Sequence, residues 1–199
     1  MQKRNLVKSN GDFPQIIINS IPAPELIYET ISDRDLLPYA SGLKELDNFG
    51  VDFIVMVCNT IHLFHGQLQK GIKAPILDLK IELKQFLSRK KIKSAAIFGT
   101  PLLIKKGLYR FDKIKYFDLS TLEQRMLCNA ISNFNRGFEK EKHAGTVKGL
   151  AQIYVNKGAE IIILGCTELA LMLEKENLPK IDTIDILVDS TINEFLHLK

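Results

Sequence analysis

G-V-D-F-I-V-M-V-C-N-T-I-H-L-F, residues 50–64, and G-A-E-I-I-I-L-G-C-T-E-L-A-L-M, residues 158–172, are two copies of one unit. Superposed, Gly50 falls on Gly158, Asp52 on Glu160 and Cys58 on Cys166. Each copy opens on a glycine behind a polar helical stretch, which suits a helix C-cap. An acidic residue follows, then an apolar run too short for a helix and rich in β-branched residues. That is the pattern of a parallel strand buried on both faces. Each run ends on a cysteine and small polar residues, Asn59 and Thr60 in one copy, Thr167 and Glu168 in the other, before a second helical pattern. In an open α/β sheet, ligands bind beyond the carboxyl ends of strands, where helix N-termini point. Both cysteines fall there.

Outward from these units, strands and helices alternate. Residues 13–19 read as a strand with Pro14 near its start, where a missing N–H does least harm. Pro22 and Pro24 make a loop of residues 20–25. Helical spacing covers residues 36–49, 61–71 and 80–89, with a short strand at 74–77 between the last two. A second cycle starts with a strand at 94–98 that runs into the turn Gly99-Thr100-Pro101 and a short helix at 102–107. A strand at 116–118 precedes Ser120-Thr121-Leu122-Glu123, a capping box that opens a helix to about Asn135. Helices at 144–157, 169–175 and 185–197, with Ile181-Asp182 as a strand, complete the chain. The class is α/β with parallel sheets. The repeat argues for two pseudo-symmetric, doubly wound domains: residues 1–80 completed by 182–199, and residues 81–181.

Composition narrows the classes of function. With 199 residues, 46% of them apolar, the chain can bury a real core. Its net charge is +4, yet 27 basic and 23 acidic residues are interspersed, and Arg89-Lys90-Lys91 lacks the interleaved aromatics of a nucleic-acid surface. Three cysteines without a paired framework fit a reducing compartment. No apolar run reaches the roughly 18 residues of a membrane span, and no signal peptide opens the chain. The expectation is a soluble cytoplasmic protein acting on a small molecule, with neither nucleic acid nor membrane as partner.

Taken singly, each cysteine reads as a small hydrophobe closing a buried strand. Together, at matching places in a duplicated unit, they suggest more. A thiol at a helix N-terminus has its thiolate stabilised by free N–H groups, which lowers its pKa. Two such thiols across a cleft address opposite faces of one carbon: one removes a proton as thiolate, the other delivers one as thiol. A racemase without a cofactor needs that pair. Such sulfurs would stand about 7–10 Å apart, twice a reacting distance of about 3–3.5 Å. The residues behind each cysteine supply hydroxyl, amide and backbone donors for a carboxylate becoming an enediolate.

V-C-N-T-I-H, G-C-T-E and the Gly99-Thr100 turn, at this separation, closely resemble the aspartate/glutamate racemase family, nearest its aspartate racemase branch. The resemblance runs from about Phe13 to the C-terminus. It implies Cys58 and Cys166 as the acid/base pair, no PLP or metal, and a homodimer. It also implies Asn59, Thr60, Thr100 and Thr167 as substrate contacts. Hydantoin racemases, maleate isomerases and arylmalonate decarboxylases share the architecture, so an isomerase or decarboxylase is the enzymatic alternative, and a non-catalytic homologue the other. Glu168 either orients the thiol or substrate amine, or caps its helix. His62 follows the first cysteine in the family pattern and also reads as a packing residue; His65, His143 and His197 lack metal-ligand spacing. Cys128 reads as core.

Three features depart from the family pattern. A strand, a G-G-M-G-P loop and a helix usually precede the strand found here at 13–19. Without them the first domain is expected to be incomplete, its gap closed by pairing 13–19 with the Cys58 strand or by a borrowed strand, and its turnover weak or absent. Leu26 stands where an arginine usually binds a substrate carboxylate. The place of a second basic contact falls at Asn135 or Arg136, before Gly137, and Arg136 reads either as that contact or as a solvated helix-end arginine.

Overall fold

A computed structural model describes residues 1–2, 5–22 and 31–198. The second half forms a four-stranded parallel sheet, order β2-β1-β3-β4: β1 Ser94–Gly99, β2 Lys115–Tyr116, β3 Ile161–Gly165 and β4 Lys180–Asp182. β1 and β3 form its centre, in register from Ala95 opposite Ile161 to Gly99 opposite Gly165. All six residues of β1 are buried, as continuous apolar runs covered on both faces require. On one face pack α5 (Thr121–Asn135), α6 (Lys140–Asn156) and α7 (Thr167–Leu173), with Leu127, Val147, Ala151, Tyr154 and Leu169 against Phe98 and Leu164. The other face carries α3 (Leu79–Arg89), α4 (Pro101–Lys106) and α8 (Thr183–His197) through Leu83, Leu103 and Leu187, with Tyr109 of the loop behind α4 in the same cluster. The α/β class and the parallel sheet are as read from sequence.

Helix ends follow the expected chemistry. Glu123 accepts from the backbone N–H and the hydroxyl of Ser120, 2.7 Å each, while Ser120 Oγ accepts from the Glu123 N–H. Gly50 and Gly158 both adopt positive φ, +76° and +101°, just past α1 (Asp33–Asn48) and α6. α1 starts ahead of its periodic residues because Asp35 accepts from the N–H and hydroxyl of Ser32.

In the first half the expected strands do not form ladders. Residues 50–58 are extended but carry one parallel bridge, Ile54 to Ile76. The bonds beside it run from Ile54 N–H to Pro75 O and from Leu77 N–H to Ile54 O, both 2.9 Å. Side chains take backbone groups of the stretch opposite: Asp47 accepts the N–H of Lys73 and Ala74, and Gln69 accepts that of Ile76 while donating to Ala74 O. Pro75 has no N–H to offer. A helix over 61–71 resolves into a 3₁₀ turn, Thr60–Phe64, and the short α2, His65–Gln69.

Residues 13–19 form no strand either, nor do they pair with the Cys58 run. This segment lies against α1 through side chains: Asn19 Nδ2 donates to Gly42 O and Glu45, and Ile21 approaches Gly42 so closely that a Cβ there would meet its Cδ1 at 2.0 Å. Leu26 falls outside the described residues. Cys128 is half-buried on α5 and absent from the core, which takes its neighbour Leu127 instead.

Candidate active site

Cys166 ends β3 and is the N-cap residue of α7; Cys58 ends the extended run of the first half, ahead of the 3₁₀ turn. Cys166 is buried and Cys58 half-buried. The backbone N–H groups of Ile61 and Thr60 are aimed at Cys58, and that of Glu168 at Cys166. These are the donors the sequence implied, but they do not decide the outcome. Burial pushes the Cys58 thiol up, against the two N–H groups, and the Glu168 carboxylate adds to the rise. Cys166 is held well above the usual thiol range by burial, then by the charge of Glu168, to which its S–H donates at 2.8 Å, and by Cys58. The expectation of lowered pKa values is therefore corrected: desolvation of a buried thiol outweighs helix-terminal donors. The mutual influence also sets both sulfurs and Glu168 in one electrostatic neighbourhood.

Residues following Cys58 are gripped by the second half. Asn59, 2% exposed, accepts at Oδ1 from the hydroxyls of Tyr109, 2.5 Å, and Thr183, 2.8 Å. Its Nδ2 is buried without a partner. The hydroxyls of Thr60 and Thr100 share a hydrogen bond of 2.9 Å, and Thr100 Oγ1 also accepts the Leu103 N–H as N-cap of α4. On the Cys166 side, Thr167 donates to Glu168 at 2.9 Å.

Arg136 joins none of these contacts. The N-terminus of α5 lies against the end of α6, through Glu123 with Tyr154 and Lys157, and α6 leads into the start of β3. α5 therefore runs toward the carboxyl end of the sheet and leaves Arg136, exposed, at the end where Cys166 sits.

Tyr109, Thr183 and Tyr39 escaped the sequence reading. Tyr109 and Tyr39 both feel Cys58, and burial with that charge pushes Tyr39 up to about 12. Thr183 had a signal, since it follows Ile181-Asp182; Tyr109, in a loop behind α4, had none. His62 is buried and donates to Met56 O at 3.1 Å, a packing role. Among the described residues no group of three or more His, Cys, Asp or Glu side chains is arranged to hold a metal, and no helix is long and apolar enough to cross a membrane.

Two cysteines at matching places in a duplicated sequence unit thus share one electrostatic neighbourhood in an α/β fold. The chain belongs to the Asp/Glu/hydantoin racemase family, whose model matches residues 5–191. It is 27% identical to the broad specificity amino-acid racemase RacX of Bacillus subtilis, over 98% of this chain and 88% of that protein. Identity to the glutamate racemase of Persephonella marina is 26%, covering 92% of this chain and 74% of the relative. In fold it resembles the aspartate racemase of Picrophilus torridus, with a TM-score of 0.71 at 20% identity, over 82% of this chain and 71% of that one.

Proposed function

We propose that the protein is a cofactor-independent amino-acid racemase in which Cys58 and Cys166 act on opposite faces of the substrate α-carbon. The observation that carries this reading is that the half-buried Cys58 and the buried Cys166 influence each other and share one carboxylate, Glu168. The partner is a small amino acid, whose α-proton must be removed and replaced.

The two thiols differ in a way that sets their resting roles. Cys58 has two backbone N–H groups to solvate a thiolate, and Cys166 donates its proton to a carboxylate. Cys58 is thus the base of the resting form and Cys166 the acid. Cys58 thiolate takes the α-proton and becomes a thiol. The electron pair left on carbon delocalises into the substrate carboxylate as an enediolate, and Cys166 returns its own proton to the opposite face. The product leaves with Cys166 as the thiolate, and the enantiomer runs the same steps backwards. Asn59, Thr60, Thr100 and Thr167 supply neutral hydrogen bonds around the reacting carboxylate, with Arg136 at the rim and Glu168 orienting the Cys166 thiol.

Neutral contacts, and a family relative named for broad specificity, favour a range of amino acids over one acidic substrate. The test is α-proton exchange in deuterated water, with the L- and D-forms of alanine, asparagine and aspartate. Exchange from both enantiomers, lost on replacing either Cys58 or Cys166 by alanine, is the expected result. A single variant that racemises at the unmodified rate sinks the two-base mechanism.

A further inference from the structure

We infer that Tyr109 is a positioning residue, whose hydroxyl turns the Asn59 side-chain amide so that its NH₂ group faces the substrate carboxylate. The inference rests on the reading of Asn59 as a substrate contact.

An asparagine amide has two ends of nearly equal shape and opposite hydrogen-bonding character, and only its partners decide which way it points. At Asn59 both partners are hydroxyls from the second half, converging on Oδ1 from Tyr109 at 2.5 Å and Thr183 at 2.8 Å. Thr183 has one proton and two acceptors, since it also donates to Leu164 O at 2.8 Å. Tyr109 has no such division: among the described residues its hydroxyl donates to Asn59 alone. That ring is fully buried among Leu103, Ile97 and Leu108, so the hydroxyl is delivered by a side chain with no freedom to swing away. Nδ2 is left buried with no partner, directly after Cys58. Buried amide donors are satisfied in the great majority of cases, and an orphan asks for a ligand. A carboxylate gaining charge as it becomes an enediolate is the acceptor that a fixed donor serves best.

Tyr109→Phe removes the hydroxyl and keeps the ring in the core, so the fold is expected to hold its melting temperature within a few degrees. α-Proton exchange of L-alanine is measured for the unmodified chain, Tyr109→Phe, Asn59→Ala and the double variant. Tyr109→Phe is expected to lower kcat/KM about 3- to 10-fold, the range of one neutral hydrogen bond, and to change nothing further once Asn59 is alanine. If the two losses multiply instead, Tyr109 does not act through Asn59 and the inference falls. Full activity in Asn59→Ala would sink the underlying contact, a separate outcome. A second readout does not depend on turnover. In ¹⁵N–¹H spectra, the side-chain NH₂ signals that vanish in Asn59→Ala should shift in Tyr109→Phe while other side-chain amides stay in place. Unmoved Asn59 signals would overturn the proposal.

Discussion

The ring of His62 has one arrangement of its proton that suits the fold. Nε2 lies 3.1 Å from Met56 O and must donate to it, which leaves Nδ1 unprotonated and buried without a partner. A second proton would sit on Nδ1 in apolar surroundings, and burial accordingly lowers the pKa from 6.5 to about 4. The unfolded chain accepts that proton at higher pH than the folded one does. Stability from this residue is therefore present above pH 6.5 and lost as pH falls toward 4, by on the order of 3 kcal/mol. Urea unfolding between pH 7 and 4 should show the loss, and His62→Gln should flatten it; an unchanged slope would refute the assignment. The thiols predict the opposite trend in activity. Burial holds both above an ordinary thiol, so the thiolate becomes more available as pH rises. Exchange rates should therefore rise as pH is increased from 7 to 9. A flat profile would mean that the base is not a buried thiol. The placement of Cys58 and Cys166 was legible in the sequence because a duplicated pattern repeats its positions. Their pKa direction was not, since burial depends on neighbours that no local motif specifies.

Capping at the start of α5 shows how well local chemistry can be read. Ser120 and Glu123 satisfy each other's backbone N–H groups, and Tyr154 adds a hydrogen bond to the Glu123 carboxylate at 2.8 Å. Ser120→Ala should cost about 1 kcal/mol in urea unfolding, and a loss below a few tenths would mean that Tyr154 and Lys157 hold the helix end without it. Where ends are set by residues three apart, the sequence suffices. Strands are less legible: the run at 50–58 has every compositional mark of a buried strand, and so does β3. β3 finds ladders on both sides, in β1 and β4. Among the described residues the first run bridges only to 74–77, where Asp47 and Gln69 already claim the N–H groups of Ala74 and Ile76 and only Leu77 is left to donate to Ile54. Strand propensity states a readiness to pair, and pairing is decided by what lies alongside. The segment at 13–19 failed for the same reason, with Asn19 and Ile21 docking it on α1 instead.

On the scale of the whole molecule, that segment leaves Ile16 and Ile18 72% and 85% exposed. Replacing both with serine should change the unfolding free energy by no more than about 0.5 kcal/mol per substitution, as for surface positions generally. A larger loss would show that these side chains are covered in solution. Substrate charge is decided by the molecule as a whole too, since among the described residues no lysine or arginine is buried near the thiols. Aspartate should therefore be exchanged more slowly than alanine, and a strong preference for aspartate would place a cation in the site. The contact between Thr183 and Asn59 spans 124 residues and so has a consequence in time. As the chain emerges from the ribosome, Cys58 and Asn59 appear early, then Thr100 and Tyr109, then Cys166. Thr183 comes later still, at the start of α8. With synthesis at about 5–20 residues per second, several seconds separate the first thiol from the residue that completes its surroundings. Until then the nascent protein holds Asn59 without one of the two hydroxyls that converge on its Oδ1.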